Sequence, residues 1–164
     1  MIALGVDSGS RCTGYGVVEG RGPAHRALAF GAVRLSPDLP HSERLALIGE
    51  RLRALIGEFH PEVLALEGVF MAENAQSALK LGQVRGAVML TAAQVGVPVL
   101  EISPAEVKAA VTGYGRAEKV QVQKMVQAIL GLPKPPTPLD ASDALALAIC
   151  ALARSRLGSV GAPR

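Results

Sequence analysis

Most of the 14 acidic residues in this 164-residue chain lie in polar surroundings. Asp7, Glu67 and Asp143 do not. Asp7 closes the apolar run at residues 2–6, and Glu67 closes another at residues 63–66. Asp143 sits in Ala-Ser-Asp-Ala-Leu-Ala-Leu-Ala-Ile, where its helical neighbours are nearly all apolar. Asp140 precedes it by three residues, so the two share one helix face. Acids are seldom placed among apolar residues without compensation. Two carboxylates ~4 Å apart repel by about 4 kcal/mol at an effective dielectric near 20. Either bound protons or a divalent cation must offset that. No matching His or Cys set accompanies the acids, so a hard, oxygen-seeking ion such as Mg²⁺ or Mn²⁺ fits better than zinc. Structural roles compete: Asp7 in Asp-Ser-Gly can start a turn, and Asp140 after Pro138-Leu139, taken alone, reads first as a helix N-cap. Glu67 and Asp143 have no such explanation, and together the four acids favour a metal site.

Lys108 and Lys119 flank Gly113-Tyr114-Gly115-Arg116 and could offer positive charge to a phosphate near a helix start. From spacing alone, solvated helix lysines are the favoured reading. Phe70, three residues after Glu67, is either ordinary core or an aromatic able to stack on an exposed base. Gly82-x-x-x-Gly86 favours tight packing within the chain over a contact between copies. Gly113-x-Gly115 lacks the third glycine of a nucleotide fingerprint.

These groups depend on the elements that carry them. Residues 2–6, 13–18 and 26–35 read as three strands with short connections, an antiparallel meander. Leu45, Ile48, Leu52, Leu55, Ile56 and Phe59 recur at helical spacing, with Ser42 as the expected N-cap. Residues 63–67 form a continuous apolar run suited to a buried parallel strand. Residues 75–95 predict a small-residue helix, 97–102 a fifth strand, and 104–112 and 117–130 two helices. Four prolines make 131–139 a loop. Residues 140–157 predict a buried helix, apolar on nearly every face, ahead of a flexible tail at 157–164. The expected architecture is α/β: a five-stranded mixed sheet flanked by helices, one domain over residues 1–156. In such sheets ligands gather at the carboxyl ends of strands, where Asp7 and Glu67 fall.

Composition sets outer bounds. A hydrophobic fraction of 49% against 19% charged excludes a disordered chain. The longest charge-free apolar stretch, 86–100, falls short of the ~18 residues of a membrane span. No signal peptide is visible and Cys12 and Cys150 form no framework, so a cytoplasmic protein is expected. The net charge of +3 is compatible with nucleic acid without demanding it.

Four ordered blocks then resemble a known family. Gly5-Val6-Asp7-x-Gly9-Ser10-x-x-Thr13-Gly14-Tyr15-Gly16 is similar to the opening of RuvC-type Holliday junction endonucleases. Glu67-x-Val69-Phe70-Met71-Ala72-x-Asn74, continuing to Lys80-Leu81-Gly82-Gln83, matches a second block. Ala117-Glu118-Lys119-x-Gln121-Val122 and Asp140-Ala141-x-Asp143-Ala144-Leu145-Ala146 complete the match, which spans residues 2–151. The resemblance implies a ribonuclease H-like fold and a homodimer. It also implies a crossover junction endodeoxyribonuclease making paired nicks in opposite strands of four-way junction DNA, during recombination and repair. By that pattern Asp7, Glu67, Asp140 and Asp143 are the catalytic carboxylates and hold two Mg²⁺ ions, with Mn²⁺ as a substitute. Lys108 and Lys119 contact DNA near the scissile phosphate, and Phe70 lies at the opened junction centre. A branch-migration complex of RuvA and RuvB type proteins is the implied partner. The chain departs from the pattern at Ser8, Gly68 and Ala151, none of them a carboxylate position. A sugar-kinase or actin-like ATPase shares an Asp-x-Gly turn after its first strand but needs a second nucleotide-binding lobe.

Overall fold

In the computed structural model, residues 1–68 and 74–160 are described, with side chains to residue 155. Strand β1 (Ile2–Asp7) is the middle of a five-stranded sheet. It pairs antiparallel with β2 (Cys12–Arg21), which pairs antiparallel with β3 (Ala24–Arg34). On its other side it pairs parallel with β4 (Val63–Glu67), which pairs parallel with β5 (Val99–Ile102). The order β3-β2-β1-β4-β5 is the expected mixed sheet. The β2–β3 hairpin runs longer than alternation alone suggests, because each strand extends its partner's ladder to the Gly22 turn. Gly22 has φ +56°, a left-handed conformation open to glycine.

Helix α1 (His41–Phe59) and helix α2 (Ala75–Gln94) cover one face of the sheet. Helices α3 (Pro104–Thr112), α4 (Lys119–Leu130) and α5 (Leu139–Val160) cover the other. Ser42 is not the N-cap of α1. The Pro40 carbonyl accepts from the amides of Glu43 and Arg44, which starts the helix at His41 without a side-chain cap. The helix in residues 139–160 outlasts its expected end, so the tail begins beyond it. The start of α4 is later than periodicity suggests, because the Ala117 amide is held in a turn by the Tyr114 carbonyl.

Period-2 alternation splits the core. Leu4, Val6, Leu64 and Leu66 point toward α1 and α2, while Ala3, Val63 and Ala65 point toward α5. The α5 side is made of small residues for a geometric reason. A Cβ on Gly5 would lie 1.9 Å from the Ala144 carbonyl oxygen, and one on Gly14 2.0 Å from that of Asp140. The helix therefore lies directly on β1 and β2. Ala144, Leu145, Ala148 and Ala151 of α5 are completely buried, as its all-round apolar sequence predicts.

Candidate active site

The strand register places Asp7 and Glu67. Val6 is level with Leu66 in the parallel β1–β4 pair, so the next residue of each strand opens at the same carboxyl edge. Close packing of α5 over Gly14 brings Asp140 and Asp143 to that edge. Asp140 is not the N-cap: the Pro138 carbonyl takes the amides of Ala141 and Ser142, leaving Asp140 in the first turn. The acidic pair thus sits at a positive helix end, which favours its charge.

Asp7, Glu67, Lys108, Lys119 and Asp143 line one cleft of about 210 Å³, floored by Val107, Val122 and Leu147 among others. The structure overturns the reading of Lys108 and Lys119 as merely solvated helix lysines, since α3 and α4 turn both toward the carboxylates. Lys119 Nζ lies 3.3 Å from Asp143 Oδ2. Asp140 faces a neighbouring groove instead, yet its charge still acts on Asp7. Phe70 lies outside the described residues.

The electrostatics are those of a site with surplus negative charge. Burial, then the charges of Asp143, Glu67 and Asp140, pushes the Asp7 carboxyl up to about 7, against a smaller opposing pull from Lys119. Burial and Asp143 also raise Glu67, opposed by Lys119, Arg85 and Lys108. Asp143, ahead of the other acids, raises Lys119 and keeps it cationic. Four oxygen-donor acids with a single paired lysine fit a hard divalent cation in charge and donor type. Among the described residues no three His, Cys, Asp or Glu side chains converge as the ligands of one ion would. The donor chemistry is present, then, without a preformed cage.

The supports of the site are residues that sequence reasoning passed over. Arg85 of α2 donates to the Glu67 carbonyl and pairs with Glu101 of β5, pinning the end of β4. Its signal was available: Arg85 is the one charge between Lys80 and Glu101. The Gly68 amide donates to the Ile102 carbonyl at 2.7 Å. The Ser103–Glu106 capping box then starts α3 and fixes the direction of Lys108. On the other side, Thr13 Oγ1 donates to the Gly9 carbonyl at 2.9 Å and Arg44 to the Ser10 carbonyl at 3.1 Å. These bonds brace the loop after Asp7, where Ser8 departs from the resembled pattern. Ala151 is fully buried in α5, away from this edge.

One further expectation fails. A Cβ at Gly82 or Gly86 would meet nothing within 4 Å, so the glycine pair is not a site of tight packing within the chain. These glycines lie on the outward side of α2, where Leu79 is 65% and Leu90 59% exposed.

Comparison with known proteins agrees with this geometry. The family profile described as Crossover junction endodeoxyribonuclease RuvC matches residues 3–151. A Chlorobium phaeovibrioides protein named Crossover junction endodeoxyribonuclease RuvC is 50% identical over 155 residues, 94% of this chain and 82% of that one. T. thermophilus RuvC, solved in complex with a Holliday junction substrate, superposes with TM-score 0.92 at 38% identity, covering 97% of both chains. Yeast mitochondrial Ydc2, a Holliday junction resolvase, shares the fold alone, with TM-score 0.62 at 14% identity over 90% of this chain and 76% of that one.

Proposed function

The chain belongs to the Crossover junction endodeoxyribonuclease RuvC family, and from that premise we propose that it resolves Holliday junctions by paired, metal-dependent nicks in opposite strands. The observation that carries the reading is the carboxyl edge of the sheet, where Asp7, Glu67 and Asp143 share a cleft with two lysines. Asp140 adds its charge from the adjoining helix turn. A pure phosphate-binding protein gains nothing from buried acids, because each one repels the backbone.

Asp7, Glu67, Asp140 and Asp143 would hold two divalent ions, Mg²⁺ or Mn²⁺. When bound, the ions supply an activated water and stabilise the departing 3′ oxygen of an in-line displacement. Asp7, central in the sheet, serves both. Lys119 is held by Asp143 at the mouth of the cleft and meets the phosphate charge, while Lys108 approaches from α3. The low-dielectric floor of Val107, Val122 and Leu147 strengthens each of these contacts. The products carry 5′-phosphate and 3′-hydroxyl ends. Phe70 is assigned to the opened junction centre.

Symmetric nicking calls for two copies of the site. The exposed α2 surface of Leu79, Gly82, Gly86 and Leu90 offers an isologous contact on which a homodimer would close. Residues 1–156 act as one nuclease domain, a RuvA–RuvB type branch-migration complex is the partner, and the work is cytoplasmic. In keeping with this, no described helix is long and apolar enough to cross a membrane.

A labelled mobile four-way junction tests the reading, incubated with Mg²⁺, with Mn²⁺ and with chelator, beside a linear duplex. Symmetric nicks confined to the junction and dependent on metal are expected. Asp7→Asn is expected to lower cleavage by at least ~10³-fold while leaving junction binding intact or tighter, since it removes repulsion. Tight binding by the wild type without nicks under either metal would sink the catalytic assignment.

A further inference from the structure

The groove beside the cleft, about 600 Å³, has no part in the chemistry described above. Arg11, Cys12, Arg34 and Ser36 form one wall, and Pro138 and Asp140 belong to the other side. Its basic wall stands on fixed backbone. Arg34 is the cross-strand partner of Cys12, and the Leu35 amide donates to the Arg11 carbonyl at 2.9 Å. Both arginines are exposed, and among the described residues neither guanidinium makes an ion pair or hydrogen bond. Arg44, by contrast, commits an N–H to the Ser10 carbonyl beneath the same loop. Two uncommitted planar forks, side by side on rigid supports, suit phosphate oxygens. Asp140 does not neutralise them by pairing. It lines the groove while its charge reaches Asp7 in the cleft, so the two depressions adjoin across this one residue.

We propose that Arg11 and Arg34 form a backbone subsite that holds a phosphodiester of the cleaved strand neighbouring the scissile one, on the Asp140 side of the carboxylates. This rests on the nuclease reading, because a strand lying across the cleft is what meets both depressions. The strand is then gripped at two places: by Lys108 and Lys119 in the cleft, and by the arginine pair beyond Asp140. Two grips fix its direction over the carboxylates, where a single cationic patch would let it pivot. The arginines position the strand and take no part in bond breaking.

The test uses the full chain in chelator for binding and in Mg²⁺ for cleavage. Arg11→Gln/Arg34→Gln should bind the junction at least ~10-fold more weakly near 0.1 M salt. The slope of log Kd against log salt should fall by about 2, since each lost phosphate contact removes ~0.9. Its single-turnover rate at saturating protein should stay within about threefold of wild type, as binding rather than chemistry is lost. Arg11→Lys/Arg34→Lys should restore the slope. Single methylphosphonates placed along the cleaved strand should identify a phosphate whose neutralisation weakens wild type but not the Gln variant. Wild-type affinity and slope in the Gln variant, or equal methylphosphonate losses in both proteins, would overturn the subsite. The nuclease reading would survive that result as long as wild type still nicked the junction. Wild type that cuts no junction takes both down. Should the double variant melt early, either single Arg→Gln variant serves, with an expected slope change of about 1.

Discussion

The two faces of the central sheet come from the same strands yet are built differently. Toward α1 and α2, the strands present Leu4, Val6, Leu64 and Leu66, which pack on Ile48, Leu52 and Leu55 in a volume-filled core. Toward α5 they present Ala3, Gly5 and Ala65, and the helix backbone rests almost on the strands. The first face gains stability from buried area, and its side chains can yield slightly to each other. The second gains position. With no side chain between helix and strand, the placement of Asp140 and Asp143 relative to Asp7 is set by backbone contact, which does not yield. An active site intolerant of small displacements is best served by the face with the least freedom.

The sharpest way to break this comparison is Gly14→Ala. The new methyl meets the Asp140 backbone at 2.0 Å, so α5 must lift where its acids are carried. Cleavage per folded molecule should fall by roughly 10- to 100-fold, with a stability loss of about 1–3 kcal/mol. Single-turnover assays beside denaturant melts would measure the two separately. Unchanged cleavage would mean that the close approach does not set the site.

Leu55→Ala probes the other face. Leu55 is 1% exposed, and its truncation should cost about 2–5 kcal/mol through lost burial and a cavity. Cleavage per folded molecule should stay within about twofold, because α1 carries no group of the cleft. A rate loss as large as that of Gly14→Ala would erase the distinction.

The smallest effect sharpens the comparison electrostatically. Asp7 has an ordinary carboxyl value of 3.8 unfolded and about 7 folded, so between these values the folded protein keeps a proton that the unfolded chain releases. Stability of the metal-free protein is therefore full below about pH 4 as far as Asp7 is concerned, and declines as pH rises through 7. The loss by pH 8 should be on the order of 1 kcal/mol or more, visible as a lower Tm in chelator. Mg²⁺ at pH 8 should reverse it, and Asp7→Asn should abolish this part of the dependence. A Tm that rises between pH 5 and 8 in Asp7→Asn and wild type alike would show that Asp7 carries no such strain.

Where the sequence pattern was strong, the fold followed it. The run at 63–67 is a buried strand, 104–112 a helix and 140–157 a buried helix, each because local periodicity and burial agree. Boundaries failed where backbone replaced side chains. The carbonyls of Pro40 and Pro138 start α1 and α5, so neither Ser42 nor Asp140 caps a helix. The small-residue stripe at Gly82 and Gly86 was read as internal because sequence shows that a residue is small, not which way its helix face turns.

By itself the sequence determined the chemistry available: acids ending two apolar strands, an acidic pair opening a buried helix, and four family blocks in order. Residue type and strand or helix period carry that information, and both are local. Only the tertiary structure decided how the groups divide. Strand register joins Asp7 to Glu67, helix contact over Gly14 adds Asp143, and the turns before α3 and α4 aim the lysines into the same cleft. The same packing leaves Asp140 on the border with Arg11 and Arg34. Those partners lie more than a hundred residues apart in the chain, a separation at which periodicity says nothing and only the closing of helix on sheet brings charge beside charge.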